Sequence, residues 1–225
     1  MRNKEKKLVI VGLGETAELA YGYFSFDSLY EPVAFSAERP FIDSSTFKGL
    51  PVIPLDQLPQ AFDPAEVEVF VAVSSTKLNT LRTRLYRMSK GMGYTMASYI
   101  SSKAYVGFET SIGDNCFILE NNTIQPFVRI GNNVTCWSGN HIGHRTVIHD
   151  NCFLSSQVVL SGFCEIGENC FLGVNSCVAE NVKIGDHCLI GLGAVIHKNV
   201  KAGSIYKTEY AKRQVISAKD FYGIE

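Results

Sequence analysis

The sequence predicts a small parallel α/β domain over residues 1–98, then a parallel β-helix over 99–201, then a cap or tail over 202–225. Three observations predict this architecture. A strict period of six runs through the second half of the chain. Strand and helix patterns alternate through the first hundred residues. The change of period near 98–105 has no low-complexity linker, so the two domains are expected to pack rigidly together.

Composition sets the outer bounds. The 225 residues suffice for one large domain or two small ones. Hydrophobic residues make up 46% and charged residues 19%, which allows a real core and argues against disorder. A net charge of −1 argues against a nucleic-acid surface. The one basic run, Lys4–Lys7 broken by Glu5, is expected to be a solvated tail. No apolar run approaches the ~18 residues of a membrane span. The charged N-terminus runs straight into a strand, unlike a signal peptide. A cytoplasmic protein with no membrane or nucleic-acid partner is expected.

In the first domain, Leu8–Val11 reads as a strand leading into Gly12-Leu13-Gly14-Glu15-Thr16-Ala17. Helical spacing follows through Leu19, Tyr23 and Phe24. Pro32–Phe35 and Pro51–Ile53 read as further strands and Val67–Val73 as a buried one. An arginine-rich helix is expected over Leu78–Met88. The GxGxxA turn has two readings. It can seat a phosphate at a helix N-terminus, where free amides and the dipole favour anions, or it can be a bare strand–helix turn. The full dinucleotide fingerprint adds an acidic residue at the end of the second strand. Glu38, within Ser36-Ala37-Glu38-Arg39, is the candidate. Ser74, Ser75 and Lys77 follow the fourth strand, on the usual ligand edge of such a sheet.

The period of six occupies Val106, Ile112, Ile118, Ile124, Ile130, Cys136, Ile142, Ile148, Leu154, Leu160, Ile166, Leu172, Val178, Ile184, Ile190 and Ile196. These sixteen hexads carry fifteen aliphatics and one cysteine. Six residues make a short strand plus a corner, and three such units close a triangular coil of 18. The aliphatics point into the prism, coils stack at ~4.8 Å, and each coil buries its faces against its neighbours. Glycine often follows the aliphatic, as at 107, 113, 131, 143, 167, 173, 185 and 191, and is expected to relieve a tight backbone. A small residue stands four places after it. Cysteines 116, 152, 164, 170 and 188 fall at that small position and Cys136 at the aliphatic one. All six read as reduced, buried structural thiols. Cys177 falls outside the pattern. With no CxxC pair, no zinc site is expected. Ala211–Phe221 reads as a helix or strap closing the last coil.

The five histidines are 141, 144, 149, 187 and 197. Four read as polar surface residues. His144 differs because stacking maps residue n onto n+18, which lays Gly162 over it. A glycine there leaves room and a free backbone N–H. The imidazole can take a proton near pH 7, and the N–H can stabilise an oxyanion. The same histidine on an exposed corner is otherwise a solvated side chain.

The sixteen hexads resemble those of the hexapeptide-repeat acyltransferases. The whole chain looks like their nucleotide-sugar acetyltransferase subgroup, the sialic-acid O-acetyltransferase-like and bacillosamine-pathway N-acetyltransferase enzymes. Asn140-His141-Ile142-Gly143-His144-Arg145-Thr146-Val147-Ile148 matches the segment holding the general base, which falls on His144. Residues 166–176 match a second recognisable segment. The resemblance implies a Rossmann-like N-terminal domain on a left-handed β-helix, in a homotrimer with active sites between subunits. It implies acetyl-CoA as co-substrate, lying near Gly162, Val174, Gly191 and Gly193, and no metal. It implies a nucleotide sugar held by Gly12, Gly14, Glu38, Ser74, Ser75, Lys77 and Asn140. The implied reaction is acetyl transfer to a sugar amine in cell-surface glycan synthesis, with O-acetylation of a hydroxyl as the alternative. Four features depart from the pattern. Arg145 replaces the glutamate that follows the base in many relatives. The segment 152–157 lacks their second histidine. The N-terminal turn lacks their Gly-Ser-Gly-His-Gly form, and their acidic pair is reduced to Glu38. A zinc carbonic anhydrase on the same β-helix would need a histidine where Phe108 stands. A non-catalytic scaffold is the remaining alternative.

Overall fold

The computed structural model describes residues 4–209 and 211–224. Its first part is one sheet built from β1 (Lys6–Val11), β2 (Tyr30–Ala37), β3 (Thr46–Phe47), β4 (Leu50–Pro54), β5 (Val67–Val71) and β6 (Thr95–Met96). The strand order is β3-β4-β2-β1-β5-β6, parallel throughout except for the β3–β4 pair. Leu8–Val11 is buried on both faces, as a central parallel strand requires. Helix α1 (Glu15–Asp27) joins β1 to β2. A short α2 (Leu58–Ala61) precedes β5, and α3 (Thr80–Gly91) follows it.

Two expectations for this domain need correction. The basic run is not a solvated tail: Lys4 Nζ donates to the carbonyls of Phe24 and Ser28 at 2.8 and 3.0 Å. The last turn of a helix leaves such carbonyls unpaired, and a cation suits that end of the dipole. Lys6 pairs with Glu68 at 2.7 Å. The arginine-rich helix starts late, at Thr80, because Lys77, Leu78 and Asn79 all adopt left-handed φ values of 51°, 51° and 66°.

From Tyr99 to Tyr206 the chain forms two-residue strands, one per hexad, that cycle through three parallel sheets. Each strand pairs with the strand one full coil further along, as Phe117 with Thr135 and His141 with Val159. Consecutive strands therefore lie on the three sides of a prism. The inward aliphatics from Ile118 onward are buried, with Cys136 among them. Val106 and Ile112, in the first coil, are only partly covered.

The tight backbone sits elsewhere than expected. Left-handed φ falls on the third residue after the aliphatic, at Asn115, Asn121, Asn133, Asn151, Asn169, Asn175 and Asn181 and at Gly139 and Gly193. Asparagine tolerates that conformation because its short side chain bonds locally. The glycine after the aliphatic serves clearance instead: a Cβ on Gly143 would stand 2.5 Å from the backbone nitrogen of Gly162.

The small position four places on turns out to be a donor position. Cys116 Sγ donates to the carbonyl of Gly131 at 3.1 Å and Cys152 to Gly167 at 3.0 Å. Thr146 Oγ1 does the same to Ser161 at 3.0 Å. Burial pushes the Cys116 thiol up to about 12. Cys177 points outward and is half-buried. Native protein should therefore expose no more than one of its seven thiols to a disulfide reagent, and all seven in denaturant.

The α/β domain covers one side of the prism, the docking face. Its outward residues are Tyr99, Phe117, Thr135 and Phe153, all buried, followed by Phe171. Tyr23 and Phe24 of α1 pack on Tyr99, and Phe70 of β5 packs on Phe117 at 5.3 Å. Helix α3 lies along one edge of that face. Its Arg82, 1% exposed, donates to Asn133 Oδ1 and to the carbonyls of Asn133, Asn151 and Cys152 at 3.0–3.3 Å. An asparagine ladder backs this contact. Asn115 Nδ2 donates to Asn133 Oδ1 and Asn133 Nδ2 to Asn151 Oδ1, each at 2.8 Å.

The helix or strap expected over Ala211–Phe221 does not close the last coil; the first residues of the 202–225 segment do so, together with Val200. Val200 pairs with Ile184, and the strand Ile205–Tyr206 pairs with Leu189–Ile190. Beyond them only α4 (Ala218–Tyr222) is regular among the described residues, and Val215, Ile216, Phe221 and Tyr222 are exposed. The Phe221 and Tyr222 rings meet edge-on at 5.0 Å.

Candidate active site

His144 stands on the corner opposite the docking face, exposed to solvent. Gly162 lies over it as expected. A Cβ at Gly162 would stand 2.7 Å from the imidazole Cε1 and 3.0 Å from Nε2. The Phe163 ring meets the imidazole edge-on at 5.0 Å. Among the described residues the Gly162 N–H donates to no protein acceptor.

Gln125 completes this cluster, and the sequence reading missed it. Its side-chain oxygen accepts the His144 backbone N–H at 2.8 Å and lies 3.2 Å from Nδ1. An atom that accepts from a backbone N–H is the carbonyl oxygen, so Nδ1 must carry its proton toward it. The lone pair then sits on Nε2, which makes no hydrogen bond among the described residues. Gln125 precedes His144 by one coil plus one further position. The signal was present, but it becomes a contact only once the coil length is applied to it.

Two glycines here separate stability from geometry. Gly143→Ala drives a Cβ into the backbone of Ser161 and Gly162. It should lower stability by on the order of 1–3 kcal/mol, read as a lower melting temperature. The nearest atoms to a Cβ in Gly162→Ala are those of the exposed His144 ring rather than backbone. That variant should leave melting nearly unchanged while displacing the imidazole from its position.

The N-terminal turn forms a second candidate site. Gly12 has φ +134°, and a Cβ there would stand 2.6 Å from the Ala72 carbonyl, so glycine is required. Gly14 caps α1 without a side-chain hydrogen bond. Both line a cleft of 310 Å³ with Leu13, Glu38, Phe41 and Leu85. Glu38 is gripped by Arg84 of α3 at 2.7 and 2.8 Å, which holds its carboxyl below the usual range. Ser74, Ser75 and Lys77 stand near the same sheet edge but outside this lining. Ser74 Oγ lies 3.2 Å from Thr76 Oγ1, while the carbonyls of Ser75 and Lys77 accept from Asn79 and Thr80.

Asn140 needs correction as a substrate residue. It is 1% exposed, donates to the Trp137 carbonyl at 2.6 Å and accepts from the Val158 N–H at 2.7 Å. Its side chain holds a corner together and offers nothing to a ligand.

One chain does not bring the candidate residues together. His144 and Gly162 share one corner. Val174, half exposed, and Gly191 and Gly193 lie on the corner between the docking face and the next side. The Gly193 N–H donates to the Val174 carbonyl at 2.8 Å, and the space beside Gly193 is open. The Gly12–Gly14 cleft belongs to the domain on the docking face, across the prism from His144. Between the His144 and Val174 corners runs a side with outward Tyr105, Thr123, His141, Val159, Cys177 and Val195. Three of these are well exposed apolar residues, Tyr105, Val159 and Val195. Among the described residues, no group of three or more His, Cys, Asp or Glu side chains is placed to hold a metal ion, and no helix is long and apolar enough to cross a membrane.

Comparison with known proteins bears first on the repeat. The family described as bacterial transferase hexapeptide (six repeats) matches residues 163–198. No curated protein sequence matches the chain. Among solved structures, the acetyltransferase domain of PglB from Neisseria gonorrhoeae FA1090 is similar, with TM-score 0.80 and 21% identity over 89% of this chain and 96% of that one. PerB from Caulobacter crescentus, in complex with CoA and GDP-perosamine, gives 0.76 and 22% over 88% and 92%. WeeI from Acinetobacter baumannii AYE gives 0.76 and 19% over 89% and 96%. At these identities the likeness is one of fold. The chain thus carries a bacterial transferase hexapeptide segment, on an N-terminal α/β region and β-helix arranged as in these three structures.

Proposed function

We propose that the chain transfers the acetyl group of acetyl-CoA to an amino group on a nucleotide-linked sugar, with His144 as general base. The observation that carries this reading is the imidazole held by Gln125 beside Gly162, with Nε2 making no hydrogen bond among the described residues. The similar structures support it. PglB was solved with acetyl coenzyme A, and a perosamine N-acetyltransferase with CoA and GDP-perosamine.

The residues divide the work as follows. His144 Nε2 takes the proton of the sugar amine as its nitrogen bonds to the thioester carbonyl carbon. The Gly162 N–H faces the oxygen that becomes negative. The carbon–sulfur bond then breaks, and the departing thiolate takes the proton back from the imidazole. Acetyl-CoA supplies the activated acyl group. Gly162, Val174, Gly191 and Gly193 are assigned to hold it along the coils. The N-terminal domain, in this reading a Rossmann-like fold, takes the nucleotide in the Gly12–Gly14 cleft, with Ser74, Ser75 and Lys77 at its rim.

The separation of these residues within one chain supports a homotrimer. The exposed apolar side between the two corners would meet its neighbours there. Val174 and Gly193 of one subunit would then approach His144 of the next, and one subunit's cleft would serve another's base. The setting we infer is cytoplasmic, in the synthesis of cell-surface glycans.

The test is CoA release from acetyl-CoA, followed with a thiol reagent across a panel of nucleotide-linked amino and hydroxy sugars. Release that requires one amino sugar supports the reading and names the acceptor. Release with hydroxy sugars alone makes it an O-acetyltransferase, and none with any sugar removes it. Within that assay Gln125→Glu places a carboxylate beside Nδ1, which favours the imidazolium. The acid limb of kcat/KM should move to higher pH. Gln125→Ala should instead lower kcat about tenfold through loss of orientation.

A further inference from the structure

Resting on the transferase reading, we propose that Arg145 sets acceptor specificity by binding an oxyanion carried on the acceptor sugar or on the phosphate attached to it. Arg145 follows the base directly, so the two Cα atoms are about 3.8 Å apart. Its guanidinium lies over the Phe127 ring at 4.4 Å from the centroid. Phe127 is itself braced edge-on by Phe108 at 5.2 Å. The backbone of Arg145 is fixed as well, with φ +58° and its N–H donating to the Pro126 carbonyl. The cation is therefore held in place before any ligand arrives.

The same guanidinium is unspent. Arg39 pairs with Asp56, Arg84 with Glu38, and Arg82 with four oxygens of the prism. Among the described residues Arg145 makes no ion pair, and its side chain makes no hydrogen bond. Stacking occupies one face of the guanidinium plane and leaves its N–H edges free. That is the presentation suited to bidentate recognition of a carboxylate or phosphate. A solvated surface arginine would need neither the ring beneath it nor the second ring behind that.

Charge balance during transfer points the same way. When His144 takes the amine proton, a second positive charge forms on the residue next to Arg145. Like charges on neighbouring residues oppose each other, and an anion bound at the site relieves that opposition. The group that orients His144 is the neutral amide of Gln125, and among the described residues no carboxylate bonds to the imidazole. An anion on the ligand would supply the missing negative charge. Two sources share the required chemistry, a carboxylate on the sugar ring and the phosphate on its anomeric carbon. The phosphates of the donor are separated from its thioester by the whole pantetheine arm, and so lie far from the proton in transfer.

The experiment compares wild type, Arg145→Gln and Arg145→Lys on matched acceptors. These are a nucleotide-linked amino sugar, the same sugar bearing a ring carboxylate, and the same amino sugar without phosphate. Arg145→Gln should lower kcat/KM about 10- to 100-fold on the anion-bearing acceptor, chiefly through KM, and leave the anion-free one unchanged. Arg145→Lys should restore part of the loss, since it keeps the charge without the fork. The pair whose discrimination collapses names the source of the anion. An equal loss on every acceptor, or none, overturns the proposal. Calorimetric titration with inorganic pyrophosphate and with glucuronate separates this from the transfer reading. Binding of either probe to wild type and His144→Asn, lost in Arg145→Gln, sustains the anion site even if no sugar is acetylated. Acetylation without any dependence on the anion sustains the transfer and sinks this site.

Discussion

Replacing His144 with alanine is expected to lower kcat/KM for acetyl transfer by about 10²–10⁴-fold, the range for a positioned general base. The fold should not change. The side chain is exposed, and its contacts are a single side-chain hydrogen bond to Gln125 and the edge of Phe163. Melting temperature and oligomeric state should match wild type. His144→Asn refines the result, because its amide can still reach Gln125 but cannot accept the proton. Equal loss in both variants assigns the effect to proton transfer. Retained activity in either would remove His144 from the mechanism. The Gly162→Ala variant is the companion measurement, since it keeps the imidazole and moves it.

Arg82→Ala is expected to cost about 2–4 kcal/mol of stability, because it leaves buried carbonyls without a donor and opens a cavity at the domain contact. Asn133 Oδ1 keeps Asn115 Nδ2 and the Cys152 carbonyl keeps the Thr135 N–H, but the carbonyls of Asn133 and Asn151 lose their donor. Their desolvation is not recovered elsewhere. Burial already opposes the charge and pulls the Arg82 pKa down to about 10. Among the described residues no carboxylate offsets it, and the guanidinium is stabilised by carbonyl dipoles and by the Phe153 ring 5.7 Å beneath it. Arg82→Met keeps most of the volume and should cost less than Arg82→Ala. Denaturant titration gives both values. The damage should also be local. Protease cleavage near α3 should accelerate while the β-helix stays protected, because the coils are held by their own ladders. Uniform loosening of the whole chain would refute this account of the domain contact.

Much of the second domain was legible because stacking turns a three-dimensional repeat into a linear one. The inward aliphatics and five of the inward cysteines announce themselves at period six. The docking face was legible in principle at period 18, where Tyr99, Phe117, Phe153 and Phe171 precede the inward residue. Nothing in a six-residue unit distinguishes an aromatic that faces solvent from one that meets another domain. Gln125 was hidden for a related reason, since its partner is a neighbour only across coils. Asn140 was misread because a corner asparagine looks the same whether it serves the backbone or a ligand. The left-handed run at Lys77–Asn79 carries no glycine to mark it, so the start of α3 was displaced. His144 and Gly162 were legible because a one-coil offset is all that joins them.

The docking of the first domain on the prism also orders the folding of the chain. Contacts inside the β-helix join residues about one coil apart, so the helix can grow by successive addition of short loops. The contacts of α3 are different. Asn79 reaches the carbonyl of Cys170, 91 residues away, and Arg82 that of Cys152, 70 away. The domain synthesised first therefore leaves the ribosome with an aromatic flank and an undischarged arginine. It must wait for several coils before it can bury either. Residues 1–98 alone should associate or precipitate, and slow translation through the early coils should lengthen the interval in which they are vulnerable.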